Sequence, residues 1–358
     1  MRLLCALGLF LALLHVTSCL LIGAFNIQQF GDKKSRNKDV MDIIKQIVLR
    51  YDIILIQEVR DKDLEATERL MNLVNNNVCV FSVCFPSGSP QFAYIPSDPL
   101  GPSSYKERYL FLYRVQTVSV KGSFQYDGSF FYRPSYSLIW WKIHVFDRPP
   151  FVVKFSSTET AVKEFVLIPI HTSPRTVAEA ARKGKRSTVD ELNYLVDVVK
   201  EAESLWHNNN IVVLGDFNAA GTYVTKSDLQ NIPLFTDNNF HCLIDDDVDT
   251  AVSGSPKAYD RIVVTTDMNN GVVPCSADVF NFKNKYGLTQ AETLAVSNHF
   301  PVEVELRTTG TTTQTPTTQT PRRKQTDRER FLYVMYGLDA VRRANRCQQW
   351  QRQSIFIG

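Results

Sequence analysis

The chain has 358 residues, 44% of them hydrophobic and 22% charged, which is enough to bury a large core as one big domain with accessory segments. Its net charge of +3 is unevenly spread: nine Arg/Lys against three acids give residues 308–358 a charge of +6, Arg2 adds +1, and residues 20–307 carry −4. A mildly acidic body excludes the broad basic face that dominates non-specific polyanion binding, and it suits a site rich in carboxylates.

Met1-Arg2, the apolar run Leu3 to Val16 and the small residues Thr17, Ser18 and Cys19 predict a cleavable secretory leader over 1–19, hence a secreted, extracellular protein. The run is shorter than the roughly 20 apolar residues that span a bilayer, and no other segment is long and apolar enough to do so. Leu20 to Ile27 predicts a strand, Asp39 to Arg50 a helix with Val40, Ile43, Ile44, Ile47 and Val48 on one face, and Asp52 to Ile56 a buried strand. Further strands are expected at 109–113, 151–155, 165–170, 211–214 and 261–265. A second long helix is expected at 188–206, presenting Leu192, Leu195, Val196 and Val199. Thr289 with Glu292 forms a capping box, and Val302, Val304 and Leu306 alternate with Glu303 and Glu305 as a half-buried strand. The pattern fits sheets packed together and covered by helices, over one domain at 20–307. Residues 308–321, with nine Thr, read as a disordered, O-glycosylatable stalk, and 322–358 as a basic tail with an apolar patch at 331–336.

Seven cysteines occur; Cys5 and Cys19 leave with the leader, so Cys79, Cys84, Cys242, Cys275 and Cys347 remain, an odd number. Cys79 and Cys84 are close enough in sequence to close a short loop, and spacing does not assign the other three.

Polar clusters stand at the ends of the apolar runs, where a sheet scaffold brings distant segments to one mouth. They are Asn26, Gln57-Glu58-Val59-Arg60, His171, Gly215-Asp216-Phe217-Asn218, Tyr259-Asp260-Arg261 and Ser297-Asn298-His299. One at a time each is ordinary, since a His at a strand end is usually a hydrogen-bonded structural residue and an Asp there a turn former. Together they supply what phosphodiester hydrolysis demands. A hard cation held by oxygens such as those of Glu58 neutralises a phosphate. His171 and His299 suit a general base and a general acid, each oriented by a carboxylate, for which Glu107 and Asp260 are the candidates. Asn26 and Asn218 add neutral donors.

These segments, with Ser104-Tyr105-Lys106-Glu107-Arg108-Tyr109, Pro169-Ile170-His171 and His299-Phe300-Pro301-Val302-Glu303, stand in an order that resembles deoxyribonuclease I and its relatives over residues 20–307. The resemblance implies an α/β fold, a four-layer sandwich of two central β-sheets flanked by helices, with the cleft across one sheet edge. It implies Glu58 as metal ligand, Glu107 paired with His171, Asp260 paired with His299, and Asp216, Asn218 and Asn26 around the scissile phosphate. Arg60 and Tyr105 are expected to enter the minor groove of double-stranded DNA, whose degenerate code gives little sequence preference. The expected cofactor is Mg²⁺ or Mn²⁺ with Ca²⁺ assisting, the products 5′-phosphates, and the state a monomer.

Four departures from the family pattern stand out. Asn298 occupies the place of a family Asp, so an amide replaces a carboxylate beside the phosphate and metal site. Gly221 and Lys257 stand where the family has a cysteine pair. The stretch 130–150, with Trp140 and Trp141, is longer than the pattern leads one to expect and reads as an extra hairpin, a lipid or protein contact, or unspliced sequence. Lys183 to Arg186 is a second insertion, read as a solvated basic loop. The segment 94–98 matches a strand by which some relatives bind actin; Pro96 interrupts it, so actin binding is not expected. Asn298 also supports an alternative reading, a catalytically weakened relative that binds DNA or a protein partner, whereas retention of both His–carboxylate pairs supports the enzyme.

Overall fold

The computed structural model describes residues 19–75, 79–80, 83–84, 91–132, 139–142 and 145–309; the expected leader but for Cys19, most of the expected stalk and the expected basic tail lie outside the described residues. The first strand, Leu20–Phe30, runs beyond the expected Ile27. The helix Lys38–Val48 begins on Asn37, whose side chain accepts from the Val40 N–H, so a donor that the first turn leaves orphaned is satisfied. Its apolar face buries Val40, Met41, Ile44, Ile47 and Val48, leaving Ile43 only partly covered. This crossover returns the chain to Ile53–Val59, which lies parallel to the first strand with Asn26 opposite Gln57.

Two mixed six-stranded sheets result. One runs Asp278–Val279, Val302–Leu306, Leu20–Phe30, Ile53–Val59, Arg108–Arg114, Phe92–Pro96 from edge to edge. The other runs Phe240–Cys242, Asp260–Thr265, Ile211–Asp216, Glu164–His171, Phe151–Ser156, Ser119–Gln125. Strand alternation assigns each side chain to a layer. Ile53 and Leu55 join Ile22, Phe111, Val153, Leu167 and Val212 in the core between the sheets. Their neighbours Ile54 and Ile56 join Ile44, Ile47, Leu70 and Val74 under the outer helices. On the far side the helix Thr188–Trp206 covers Val166, Ile168 and Val213 with Leu192, Leu195, Val198 and Val199; Val198 is fully buried in place of the expected Val196. Helices, sheet, sheet and helices make the four layers.

Gln57 stitches the two sheets. Its Nε2 donates to the Ile170 carbonyl at 2.6 Å and its Oε1 accepts from the Asp216 N–H at 2.9 Å. Gly215 makes this approach possible: at φ 128° a Cβ there would stand 2.4 Å from the Ile170 carbonyl and 2.7 Å from Gln57 Nε2. The ends of Leu20–Phe30, Ile53–Val59, Glu164–His171 and Ile211–Asp216 are thereby brought together.

Some elements leave little trace in the sequence. The helix Glu65–Asn75 and the strand Ser119–Gln125 are two; the helix Val177–Lys183 is a third, although its Thr176/Glu179 capping box is legible. The insertion at 130–150 contains a hairpin, Ser129–Tyr132 with Ile139–Lys142. Pro96 sits at the end of an edge strand, where a missing N–H is tolerated. Cys79 lies directly across from Cys84 in a short hairpin, Cys275 is disulfide-bonded, and Cys242 is free. Gly221 adopts φ 68° beneath the Lys257 side chain. No described helix is long and apolar enough to cross a membrane.

Candidate active site

The mouth between the sheets is built on strained backbone. The register of the first two strands shifts between Asn26 and Phe30, and Gln28 (φ 52°), Gln29 (φ 56°) and Glu58 (φ 57°) all adopt left-handed conformations unusual for residues with side chains. Lys34 holds this bulge: its Nζ donates to the carbonyls of Ile27, Gln28 and Val296 at 2.6–2.7 Å. Burial pulls its ammonium down to about 8, against the Glu58 charge. No sequence motif points to Lys34.

Asp216 is the hub. Its Oδ2 lies 3.6 Å from His171 Nε2 and 3.8 Å from His299 Nε2, and accepts from Asn26 Nδ2 at 3.1 Å. The far nitrogen of each ring is backed by a second carboxylate, His171 Nδ1 by Glu107 at 3.0 Å and His299 Nδ1 by Asp260 at 2.8 Å. Both sequence-derived pairings are therefore in place, and the four residues are buried. Thr250 Oγ1 donates to Asp260 Oδ2 at 2.8 Å, and Ser297 Oγ donates to the Asn26 carbonyl at 2.6 Å, fixing the approach of His299.

Electrostatics separates the two pairs. Burial works against charge on Glu107, but the hydrogen bond and charge of His171, together with Arg148 and Arg60, bring its carboxyl down to about 2. Burial likewise opposes charge on His299, yet Asp260 and Asp216 on either side raise the ring to about 10. Burial pushes the Asp260 carboxyl up while His299 pulls it down. Asp216 on the Nε2 side and Asp260 on the Nδ1 side both favour the charged form of the His299 ring.

Arg148, which no sequence motif singles out, donates to the carbonyls of His171 (2.9 Å) and Thr172 (2.7 Å) and lies 3.5 Å from Glu107. It sits in the stretch that reads only as an insertion, which masks its signal. Arg60 reaches Glu107 at 3.3 Å and lies 4.9 Å over the ring of Tyr105, which is 68% exposed. The two form a ledge beside the mouth. Asn218 (φ 47°) is at the site, but its Nδ2 donates to the Thr172 carbonyl at 3.2 Å, so that N–H is committed to the fold.

The oxygen donors fit a hard divalent cation. Glu58 accepts from Asn26 Nδ2 (3.2 Å) and the Gln29 N–H (3.0 Å) and lies 3.8 Å from the Arg60 guanidinium. Asn298 Oδ1 and Asp260 Oδ1 are each buried with no hydrogen-bond partner among the described residues, orphaned acceptors of the kind a cation satisfies. Asp216, Asp260 and His299 also bring ligand atoms within 4.8 Å of one another, a buried group with the donor types a divalent cation takes, although Asp260 Oδ2 and His299 Nδ1 already meet each other at 2.8 Å.

Residues 23–328 match the model of the Endonuclease/Exonuclease/phosphatase family. The chain is 41% identical to bovine Deoxyribonuclease-1 over 303 residues, covering 84% of this chain and 97% of that protein. It is 38% identical to human Deoxyribonuclease gamma over 322 residues, covering 88% and 95%. Among solved structures, the human Nocturnin catalytic domain with bound sulfate superposes with a TM-score of 0.53 at 14% identity, over 81% of this chain and 95% of that one, a likeness of fold alone. The chain therefore belongs to the Endonuclease/Exonuclease/phosphatase family, within its deoxyribonuclease I branch.

Proposed function

We propose that the protein is a secreted endonuclease that hydrolyses phosphodiester bonds of double-stranded DNA, with the domain 20–307 sufficient for the chemistry. The observation that carries the reading is Asp216 Oδ2 set between two histidine Nε2 atoms, each ring backed by its own carboxylate. A structural pair needs one such arrangement; two converging on one carboxylate suit a reaction with two proton transfers.

His299, held protonated between Asp260 and Asp216, donates a proton to the leaving 3′-oxygen. His171, oriented by ionised Glu107, accepts a proton from the attacking water, leaving 5′-phosphate products. Asn26 Nδ2 orients Asp216 and Glu58 toward the phosphate. A divalent cation, Mg²⁺ or Mn²⁺ with Ca²⁺ assisting, supplies charge neutralisation at the phosphate when held by Glu58 with support from Asn298. Arg60 and the exposed Tyr105 engage the minor groove, which accounts for weak sequence preference.

Asn298 favours the second reading, a catalytically weakened relative that binds DNA or a protein partner. Nicking of supercoiled plasmid by the purified chain, with and without EDTA, separates the two. Metal-dependent nicking lost in His171→Ala supports the enzyme. DNA binding without nicking at any metal concentration supports the binder.

A further inference from the structure

The Lys183–Arg186 stretch is more than a solvated loop. The helix Val177–Lys183 starts on the Thr176/Glu179 capping box and ends at Gly184 in the left-handed conformation, so the basic turn leaves it in a fixed direction. Arg175 anchors the return: its Nη1 donates to the Arg186 carbonyl at 2.8 Å, and its N–H to Thr188 Oγ1 at 3.1 Å. Opposite the turn lies the segment bearing Lys106. Between them is a cavity of about 870 Å³, lined among others by Lys106, Val145, Phe146, Asp147, Lys185 and Arg186.

Three cations and one acid line this cavity. Lys185 and Arg186 in the lining, and Arg182 and Lys183 on the turn beside it, are exposed and make no ion pair among the described residues, while Lys106 donates to the Gly101 carbonyl. The nearby acids are committed elsewhere: Glu179 and Asp190 close capping boxes, and Asp147 is held by Arg175 and by Ser173 Oγ. The cavity adjoins the mouth along two segments: Lys106 lies between Tyr105 and Glu107, and Asp147 precedes Arg148.

We propose that this cavity is a subsite for the phosphodiester backbone of duplex DNA, taking phosphates beyond the scissile one and lengthening the footprint of the mouth. It rests on the nuclease reading above. Cations on an ordered turn suit a regularly spaced polyanion, and continuity with the catalytic residues makes the bound duplex its occupant.

The test compares the full chain with Lys183→Gln/Lys185→Gln/Arg186→Gln and with the charge-keeping Lys183→Arg/Lys185→Arg/Arg186→Lys. Substrates are a duplex shorter than one helical turn, about 8 base pairs, and one of about two turns, about 20 base pairs. The neutral variant should raise KM on the long duplex by about tenfold near 0.1 M salt, with the slope of log affinity against log salt shallower by about 0.9 for each phosphate it no longer neutralises. Its kcat, and both constants on the short duplex, should stay put, and the charge-keeping variant should restore the wild-type KM. Equal KM and salt slope for wild type and neutral variant on the long duplex overturn the proposal. So does loss of heparin binding alone, which would make the turn a site for a different polyanion. A wild-type chain that cuts neither duplex overturns the nuclease reading instead; fluorescence anisotropy on the same two duplexes then decides the subsite by the same comparison.

Discussion

Gln57 and Asp216 are joined across the two sheets by a buried hydrogen bond from the Asp216 N–H to Gln57 Oε1, 2.9 Å long. The same carboxamide satisfies the Ile170 carbonyl, so Gln57→Ala strands one donor and one acceptor and opens a gap between the sheets. Leaving such groups unmet costs about 1–3 kcal/mol each. Denaturant unfolding should show a loss of about 2–4 kcal/mol, together with weaker nicking as Asp216 shifts. An unchanged midpoint would mean the bridge carries nothing.

The two histidine pairs make unequal demands on their carboxylates. His171→Ala removes one proton transfer and should lower kcat by about 10²–10⁴-fold with little change in melting temperature. Glu107→Gln keeps the size of the side chain but loses the charge that orients the ring, and should cost less, about 10–100-fold. If Glu107→Gln proved the more damaging, Glu107 would have a role of its own at the phosphate.

Asn298→Asp supplies a charge where the chain has a buried, unpartnered amide oxygen. Supporting ligands at metal sites are typically worth about 10–100-fold in affinity or activity. The substitution should raise nicking by that order or lower the Mg²⁺ needed for half-maximal rate. Superimposable metal titrations of the two proteins, both fully active, would remove Asn298 from the cation site.

Glu191 gives a pH dependence unrelated to turnover. It is fully buried beneath Ser173, and burial lifts its carboxyl to about 7, although Arg148, the Ser173 N–H and Arg175 oppose the rise. The folded protein keeps this proton up to about pH 7, whereas the unfolded chain releases it near 4.5. Its contribution is therefore most favourable below pH 4.5, declines as pH climbs toward 7, and is lowest above that. The span is about 3 kcal/mol by linkage. Glu191→Gln should flatten this decline, so its melting temperature relative to wild type rises between pH 5 and pH 7.5. Parallel curves for the two proteins would show that Glu191 titrates normally.

Much of the site is legible in the sequence because its residues occupy strand ends with unmistakable composition. Asn26, Glu58, His171 and Asp216 each follow an apolar run, and the register of parallel strands carries Asn26 to Gln57 and His171 to Asp216. Lys34 and Arg148 are illegible for a common reason: both act through backbone carbonyls, which leave no pattern of partner residues along the chain. Val198 displaces Val196 because it stands in line with Leu195 and Ala202, three and four residues away on the buried stripe of the helix Thr188–Trp206. The strand Ser119–Gln125 lies at a sheet edge with alternating exposed polar residues, too weak an apolar signal to find.

The loop from Asp245 to Lys257 contains no cysteine, and Lys257 packs over Gly221. Thr250, which steadies Asp260, is held by hydrogen bonds with Lys257, whose own N–H is fixed by Asp249. The support behind the His299–Asp260 pair thus has no thiol chemistry in it. A reductant that opens the Cys275 disulfide therefore finds no bond to break within this loop, where hydrogen bonds alone hold Thr250 against Asp260.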